Sequence, residues 1–477
     1  MLFNSFQFVF FFIIVTSLYF TLPHKYRWFM LLMASCYFYM SFIPIYILIL
    51  LFTIIIDYFA GIYLEKFQGK KRKTFLIISL IANVGILAIF KYYNFINDNI
   101  SSFLGILEQK NPIPYLSIIL PIGLSFHTFQ AMSYTIEVYR GNQKAEKNFG
   151  IYALYVMFYP QLVAGPIERP QNLLHQFYEK HEFDYDRVVQ GLKLMLWGLF
   201  KKIVIADRLS IYVNAVYNNP DQHFGFTLIL ATIFFAFQIY CDFSGYSEIA
   251  IGSAQVMGFK LMTNFKRPYF AKSVSEFWKR WHISLSTWFS DYLYISLGGN
   301  RVSIPRWYFN LFFVFLVSGL WHGANWTFII WGALNGFYLI FALLKNRFVK
   351  PPEKSRPKII KSGFNIINIF ITFALICLSW VFFRANSAHD AFVIIRNMFK
   401  INMPFYSGGW KEIFYGLAGL IFLIYIEFKQ EFSFNIETGL PMKSISIVRN
   451  YIFYSMLLLA IIIVGVFDAG QFIYFQF

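Results

Sequence analysis

Residues 309–344, FNLFFVFLVSGLWHGANWTFIIWGALNGFYLIFALL, form one predominantly apolar stretch. As a single α-helix this stretch would extend about 54 Å, well beyond the ~30 Å hydrocarbon core of a bilayer. Near its middle, Gly319 and Gly323 flank His322 at positions −3 and +1. Glycine permits an interruption of the helix or a close approach of another backbone segment. The stretch is therefore too long for one membrane span, and we expect an irregularity beside a membrane-embedded histidine.

The composition of the whole chain points to the same class of protein. The 477 residues are 58% hydrophobic and 14% charged, whereas soluble domains average about a quarter charged residues. The aromatic content of 22% is attributed to lipid-facing positions rather than to an aromatic binding site. We therefore predict an all-α, polytopic transmembrane protein, because a helix satisfies its own backbone hydrogen bonds in lipid.

Further stretches of about 20 mostly apolar residues, the length that spans a bilayer, recur along the chain. Adjacent spans are easily merged or split by hydropathy, so we expect roughly ten to twelve in total. The candidate ranges are 6–22, 27–43, 44–63, 74–92, 114–137, 189–206, 224–245, 309–344, 363–383, 411–428 and 450–468. One membrane-embedded domain is predicted over 1–477, with N-terminal spans in 1–110, a motif-bearing core in 114–344 and C-terminal spans in 363–468.

The charge distribution predicts the orientation in the membrane. The net charge is +17, which is compatible with nucleic-acid binding, but the basic residues cluster in short loops between apolar runs. Residues 70–73 (KKRK) form one such loop, and the lysine-, arginine- and proline-rich segment 345–361 forms another. Both are predicted to be cytoplasmic, because loops rich in Lys and Arg remain on that side.

The first apolar run, residues 8–20, has no Lys or Arg before it. A cleavable signal peptide normally begins with positive charge, so we interpret this run as a retained span with an extracytoplasmic N-terminus. His24, Lys25 and Arg27 then lie in the cytoplasm. The next two spans return the chain to the cytoplasm at 70–73, in agreement with the charge of that loop.

No common soluble catalytic motif occurs in the chain. The sequence contains no GxSxG, GxxxxGK[ST], HExxH or CxxC. The three cysteines, Cys36, Cys241 and Cys377, are scattered through apolar stretches and indicate neither a disulfide framework nor a metal site. Two histidines, His282 and His322, are too few to predict a metal centre.

Two regions differ from plain membrane spans. Residues 121–170 and 238–326 mix apolar runs with Gly, Pro and ionisable residues. Irregular backbone at membrane depth is tolerated only where protein or a water-filled cavity covers it. We therefore expect re-entrant and amphipathic helices around a central funnel or tunnel.

Residues 277–289, FWKRWHISLSTWF, predict an interfacial amphipathic helix. At helical spacing its tryptophans share one face, opposite Lys279 and Arg280, and such helices place tryptophan at the level of the lipid headgroups. His282 falls at the margin of the apolar face. It either anchors the interface or has a function of its own.

Four ionisable residues in apolar surroundings have competing interpretations. For His322 a function is favoured over a packed core histidine, because an ionisable group inside a membrane segment is functional by default. His127 is interpreted as a core histidine. Asp242 and Glu248 either orient a histidine or bind a cation, or they form a structural ion pair or helix cap.

Six sequence blocks, in order along nearly the whole chain, resemble those of the membrane-bound O-acyltransferase family, and within it the bacterial alginate O-acetyltransferase branch. The blocks are PIGLSFHTFQAMSYTIEVYRG (121–141), FYPQLVAGPIERP (158–170), QIYCDFSGYSEIAIG (238–252), NFKRPY (264–269), FWKRWHISLSTW (277–288) and SGLWHGANW (318–326). The resemblance implies a helical fold around a tunnel that opens to both sides of the membrane. It also implies that His322 is the essential histidine and that His282 is a second polar site residue.

The resemblance further implies acetyl transfer from cytoplasmic acetyl-coenzyme A, with no tightly bound cofactor, across a bacterial inner membrane. His322 would act as the base, and His282 would orient the acceptor or polarise the thioester. The donor's phosphates would require cations, for which the candidates are Lys266, Arg267, Lys279 and Arg280, with Lys201 and Lys202 weaker. The alternative is that this cationic cluster only reflects the cytoplasmic charge bias.

The expected acceptor is an extracytoplasmic polysaccharide, either alginate, another exopolysaccharide or peptidoglycan, reached through a periplasmic or extracellular serine-hydrolase-type partner. Nucleic acid is not an expected partner. Three alternatives remain: D-alanyl transfer to teichoic acid by a related branch, a transporter or flippase without acyl chemistry, and a scaffold for polysaccharide secretion. A transporter would be expected to show two related halves with discontinuous helices, which the sequence does not.

Overall fold

The computed structural model describes residues 1–117, 120–348, 358–401, 403–432, 447–467 and 473. Within these ranges every regular element is a helix and no β-strand occurs, so the predicted all-α fold is confirmed. Several helices start where a polar side chain caps the first turn. Ser5 Oγ accepts a hydrogen bond from the Phe8 amide, and Ser387 Oγ accepts one from Asp390. Such caps satisfy amide groups that have no partner inside the helix.

The first part of the chain contains ten α-helices among its described residues. They are α1 Phe6–Thr21, α2 His24–Met40, α3 Ile47–Lys66, α4 Gly69–Leu87, α5 Tyr93–Ile106, α6 Leu124–Arg140, α7 Phe149–Met157, α8 Tyr159–Leu162, α9 Pro170–Leu173 and α10 Tyr185–Leu199. A π-helical segment, Ala88–Tyr92, joins α4 to α5, so that Gly69–Ile106 is one continuous apolar helix. It extends further than the span predicted over 74–92.

The rest of the described chain contains ten more. They are α11 Asp207–Tyr217, α12 Phe226–Met257, α13 Val274–Arg280, α14 Ile283–Trp288, α15 Ile304–His322, α16 Trp326–Phe348, α17 Lys358–Arg384, α18 Ala388–Met398, α19 Trp410–Phe432 and α20 Ile447–Val464. Two further π-helical segments, Phe200–Ala206 and Phe289–Tyr294, follow α10 and α14.

Seven helices in the described ranges are long and apolar enough to cross a membrane, which agrees with a multi-pass membrane protein. They are Pro44–Lys66, Gly69–Ile106, Phe226–Met257, Ile304–His322, Trp326–Lys345, Asn365–Arg384 and Ile413–Phe432. Phe6–Thr21 and Tyr451–Val464 are apolar but shorter. This number is smaller than the ten to twelve spans predicted. Several of the predicted apolar runs form helices that are short or largely buried in protein.

The region 114–137 is the clearest such case. A single span was predicted there, but the helix begins only at Leu124, after Gly123 in a left-handed conformation at φ 77°. A Cβ at Gly123 would lie 2.7 Å from the Leu162 carbonyl oxygen, so this turn requires glycine. Most of α6 is buried. Hydropathy detected burial in protein and could not distinguish it from burial in lipid.

By internal contacts the chain divides into two compact units. The first comprises Met1–Met195 with Ser247–Met262, and the second Leu196–Tyr246 with Thr263–Phe477. The single-domain organisation remains a prediction. Most of the basic segment 345–361, predicted to be cytoplasmic, lies outside the described residues.

The long stretch 309–344 folds into the helical pair α15 and α16, which is interrupted beside His322 as predicted. The two helices approach closely at glycines. A Cβ at Gly319 would lie 2.3 Å from the Phe328 carbonyl oxygen, and one at Gly332 would lie 2.3 Å from that of Phe315. Small residues allow such backbone-to-backbone packing between membrane helices. The pair thus fixes where α15 ends, and with it the position of His322.

Candidate functional site

His322 is the last residue of α15 and lies in an aromatic pocket of the second unit. The residue is 5% exposed. Its imidazole centroid lies 4.9 Å from that of Trp321, 5.0 Å from Trp331 and 5.3 Å from Phe383. The Trp331 ring in turn stacks on Trp380 at 5.9 Å. The imidazole is therefore held between rigid aromatic walls.

The break between helices α15 and α16, just after His322, requires a glycine. Gly323 follows the helix in an extended conformation, and a Cβ there would lie 2.1 Å from the Phe328 ring. Phe328 packs edge-on against Phe383 at 5.0 Å. The glycine thus lets α16 close over the end of α15.

His282 lies between α13 and α14 and is the second buried histidine of this unit, at 1% exposure. Its backbone is left-handed, with φ 42° and ψ 54°, which is uncommon for a residue other than glycine. The imidazole packs edge-on against Phe243 at 4.5 Å. Burial lowers the pKa of His282 to about 3, so this imidazole is neutral at physiological pH.

The prediction of one interfacial helix over 277–289 is wrong. The segment forms two short helices, α13 and α14, separated at Trp281 and His282. Trp281, Leu285 and Trp288 are buried in protein rather than placed at a lipid headgroup layer. The amphipathic pattern identified the buried face correctly. It gave no signal for the break, because no glycine or proline marks it.

Asn264 holds the strained segment in place. Its backbone carbonyl accepts a hydrogen bond from the Ile283 amide at 2.9 Å. Its side-chain oxygen accepts one from the Ser284 hydroxyl at 2.6 Å. Asn264 begins the NFKRPY block, so that block supports the residues directly after His282. Such clamping is what sustains a strained backbone at a functional site.

The two histidines share one neighbour. The Trp321 ring lies 6.3 Å from His282 and 4.9 Å from His322, measured between centroids. The structure therefore brings together the two residues that the sequence singled out, from elements some forty positions apart. Both imidazoles line the same aromatic cluster.

Asp242 belongs to a buried ion cluster. Lys202 Nζ lies 2.7 Å from an Asp242 carboxylate oxygen and 2.8 Å from one of Asp207, and the Lys202 side chain is 3% exposed. The second Asp242 oxygen accepts a hydrogen bond from the Ile473 amide at 2.7 Å. Of the two interpretations of Asp242, the structural ion pair is thus the one observed. Asp207 was missed, although it follows Lys202 by five residues in an apolar run.

Lys201 and Lys202, the weaker candidates for binding donor phosphates, are both buried at 2% exposure. Lys201 Nζ donates to Ser244 Oγ at 3.1 Å, and Lys202 is neutralised by two carboxylates. Neither presents a surface charge, and a role of this pair in binding coenzyme A phosphates stays a prediction. Sequence alone could not show the two carboxylates that pair with Lys202.

Two of the four main cationic candidates, Arg267 and Arg280, pair with the same carboxylate, Glu431. Arg267 Nε and an Arg280 terminal nitrogen each lie 2.8 Å from Glu431, and Arg280 also pairs with Glu276 at 2.6 Å. The Lys266 amide donates to the Arg280 carbonyl at 2.9 Å, which joins the two basic segments. Lys266 and Lys279 are exposed.

The two pairs of cations therefore differ. The side chains of Lys266 and Lys279 make no hydrogen bond or ion pair within the described ranges, whereas both arginines are already paired. The two exposed lysines are therefore the cations available to an anion. The two arginines instead fix the position of the segment through their ion pairs. No group of three or more His, Cys, Asp or Glu suited to a metal ion occurs among the described residues.

Comparison with known proteins gives a consistent result. Residues 143–383 match the family model for the membrane-bound O-acyltransferase (MBOAT) family. A "probable alginate O-acetylase" of Pseudomonas aeruginosa is 38% identical over 84% of this chain and 75% of the relative. A peptidoglycan O-acetyltransferase of Helicobacter pylori is 35% identical over 78% of this chain and 73% of the relative.

A more distant relative is the teichoic acid D-alanyltransferase of Bacillus subtilis, which is 25% identical over 58% of this chain and 71% of the relative. The matched family region contains both buried histidines, the Asn264 clamp and the cationic segment. The chain is thus an acyltransferase and a member of the membrane-bound O-acyltransferase family.

Proposed function

We propose that this protein transfers an acetyl group from cytoplasmic acetyl-coenzyme A across the bacterial inner membrane for O-acetylation of an extracytoplasmic polysaccharide. The observation that carries the proposal is His322, a buried imidazole at a helix end, enclosed by Trp321, Trp331 and Phe383. An apolar pocket excludes bulk water, which would otherwise hydrolyse a thioester. In its neutral form the imidazole of His322 accepts a proton as a general base.

The proposed reaction uses His322 as general base. Neutral His322 takes the proton of the attacking hydroxyl while its oxygen forms a bond to the thioester carbonyl carbon. Collapse of the tetrahedral intermediate breaks the carbon–sulfur bond, and the thiolate of coenzyme A takes the proton from the imidazolium. The products are the acetyl ester and free coenzyme A, and no external acid, base or metal is needed.

His282 is proposed to assist as a neutral hydrogen-bond donor. With its pKa lowered to about 3, one ring nitrogen carries hydrogen and the other a lone pair. That N–H would polarise the thioester carbonyl or orient the acceptor. The left-handed backbone at His282 is unfavourable and is held by Asn264. This conformation directs the ring into the aromatic cluster that also contains His322.

The donor is proposed to bind through the phosphates of coenzyme A at Lys266 and Lys279, which are exposed on the segment braced by Arg267, Arg280 and Glu431. Replacing both lysines by methionine should raise the KM for acetyl-coenzyme A several-fold and leave kcat little changed. The matched control is Lys272→Met, an exposed lysine in the same region. Unchanged KM in the double variant would mean that the two lysines only follow the cytoplasmic charge bias.

The acceptor class is inferred from the relatives. Those similar over most of the chain act, by name, on alginate or peptidoglycan, and both are polymers with free hydroxyl groups. We infer an alginate-like exopolysaccharide or peptidoglycan as acceptor, with a periplasmic serine-hydrolase-type partner completing the transfer. D-alanyl transfer to teichoic acid is the second candidate, supported by a relative of lower identity and coverage. Membership of an acyltransferase family disfavours a transporter or scaffold without acyl chemistry.

The test uses sealed, inside-out vesicles, whose outer face is cytoplasmic. Acetyl-coenzyme A labelled in the acetyl group is added outside, and an acceptor oligosaccharide with the purified partner is enclosed in the lumen. Label is expected as ester in the lumen, and a D-alanyl donor should not replace acetyl-coenzyme A. Ester formed only outside, or label transferred solely from the D-alanyl donor, would contradict the proposal.

A further inference from the structure

A carboxyl group outside every motif above is completely buried in the first unit. Asp57 lies in the middle of α3, within the candidate span Pro44–Lys66, and is 0% exposed. Ionisable residues inside membrane segments are rare and costly, and a function is the default hypothesis for them.

Among the described residues, the hydrogen-bond partners of Asp57 are neutral. Ser79 Oγ lies 2.6 Å from one carboxyl oxygen, and Asn83 Nδ2 lies 2.9 Å from the other. Both residues belong to α4 and are themselves buried. No lysine or arginine in the described ranges contributes to the electrostatic environment of Asp57. A carboxylate without a cation at this depth would be strongly disfavoured.

The titratable groups that face Asp57 from neighbouring helices are Tyr134 of α6 and Tyr152 of α7. His127 of α6 contacts Thr53, which lies one turn before Asp57 on α3. His127 is a neutral imidazole. Its Nε2 lies 2.6 Å from Thr53 Oγ1, and the Thr53 hydroxyl donates to the Leu50 carbonyl at 2.9 Å, so His127 is the donor to Thr53. The other ring nitrogen, Nδ1, has no hydrogen-bond partner in the described ranges, and a second proton there would be unsolvated.

The hydrogens in this network fit a carboxylic acid. If Asp57 carries a proton, it donates to Ser79 Oγ, Ser79 donates to Thr135 Oγ1 at 3.0 Å, and Thr135 donates to the Met132 carbonyl at 3.2 Å. Each hydroxyl then gives one hydrogen and accepts one. If Asp57 is ionised, the Ser79 hydroxyl donates its only hydrogen to the carboxylate. Thr135 must then turn away from Met132 to keep its contact with Ser79.

The Tyr134 phenol packs against α3 one turn after Asp57. Gly61 lies one turn after Asp57 on the same face of α3, and a Cβ there would lie 2.6 Å from the Tyr134 hydroxyl. That hydroxyl accepts a hydrogen bond from the Glu146 amide at 2.8 Å, in the loop between α6 and α7. The missing side chain at Gly61 therefore admits a phenol between the buried carboxyl and a surface loop.

We propose that Asp57 is an intramembrane proton-binding site, in which the proton is held as a carboxylic acid by the hydrogen-bond network of Ser79, Thr135 and Asn83. The site lies wholly within the first unit. It does not depend on the acetyl-transfer proposal and can be tested without an activity assay.

The test is infrared spectroscopy of the full-length protein in lipid nanodiscs, with aspartate carbon-13 labelled to assign carboxyl bands. Wild type at neutral pH is expected to show the carbonyl band of a buried, protonated aspartic acid. Asp57→Asn should lose that band, and the exposed control Asp221→Asn should retain it. Ser79→Ala should keep the band but shift its frequency, because one hydrogen bond is removed, and this assigns the band even if Asp57→Asn does not fold.

Three outcomes would overturn the proposal. The first is the absence of a protonated aspartic acid band in wild type at neutral pH. The second is a band that neither Asp57→Asn nor Ser79→Ala alters. The third is a band that appears only without sodium or potassium and disappears when either is added, since Asp57 would then bind a metal cation rather than a proton.

Discussion

His282 adopts a backbone conformation that costs about 1–2 kcal/mol for a residue with a Cβ, and it does so at a position that the sequence marks only as a histidine in an amphipathic pattern. Glycine removes that cost. We therefore predict that His282→Gly is more stable than His282→Ala by about 1 kcal/mol, measured as the thermal unfolding midpoint in detergent, although both variants lose the imidazole.

Ser286, in right-handed α14, provides the control. There the order should reverse, with Ser286→Ala more stable than Ser286→Gly, because glycine weakens an ordinary helix by roughly 0.5–1 kcal/mol relative to alanine. If His282→Ala equals or exceeds His282→Gly in stability, the left-handed conformation at His282 is incorrect.

The sequence was informative at single residues where chemistry and position coincide. An ionisable group between two glycines in an apolar stretch predicted that His322 lies beside a helix break, and His322 is indeed buried at the end of α15. The burial of Lys201 and Lys202 could not be predicted from the sequence, because it depends on Ser244, Asp207 and Asp242, which only folding brings together. Burial of charge is a tertiary property that local composition does not record.

The pair α15 and α16 depends on backbone contact at its glycines. Gly332→Ala places a methyl group 2.3 Å from the Phe315 carbonyl oxygen, and backbone cannot move aside as a side chain can. We predict a lower melting temperature and a loss of acetyl transfer at least tenfold, since the end of α15 carries His322. Gly85→Ala, in α4 with nothing within 4 Å of the added carbon, should keep full activity. Equal behaviour of the two variants would contradict this packing.

The loop between α8 and α9 is attached to the chain just after α12 through Glu168, which is fully buried and accepts a hydrogen bond from the Met262 amide. Burial raises the pKa of Glu168 from 4.5 to about 7. The native state therefore binds the proton more tightly than the unfolded state, and stability decreases as the pH rises from 4.5 to about 7.

Glu168→Gln keeps the acceptor oxygen and cannot lose a proton. It should therefore remove this decrease, which amounts to at most roughly 3 kcal/mol, when unfolding midpoints are compared at pH 5 and pH 8. The exposed control Glu108→Gln should retain the wild-type pH dependence. A wild-type slope in Glu168→Gln would show that another group is responsible.

Local sequence patterns located the helix break in 309–344 and missed both the break in 277–289 and the start of α6. The break in 309–344 was marked by glycines. The break in 277–289 was not, because Asn264 imposes it from a distant segment. The late start of α6 was likewise missed, although Gly123 occupies the position that requires a left-handed turn.

At the scale of the whole molecule, the distribution of basic residues predicts topology. The continuous helix Gly69–Ile106 should begin in the cytoplasm, beside residues 70–73, and end outside. Lys71→Cys should therefore react with a membrane-impermeant maleimide only after cells are permeabilised, and Glu108→Cys should react in intact cells. Both positions are exposed, and unsubstituted protein measures the background of the native cysteines. Reversed labelling would invert the proposed direction of transfer.

The tunnel and the donor's route remain predictions, since hydropathy and motifs locate the parts of a membrane enzyme but not the open space among them. The proposed function of the whole molecule requires that one buried imidazole performs proton transfer. The most direct measurement is the single-turnover rate of labelled acetyl transfer in inside-out vesicles by His322→Ala, with the exposed histidine variant His389→Ala as control. We predict a 10²–10⁴-fold slower transfer in His322→Ala, with acetyl-coenzyme A binding and the unfolding midpoint retained, and a wild-type rate in His389→Ala. Transfer at the wild-type rate by His322→Ala would contradict the proposed function.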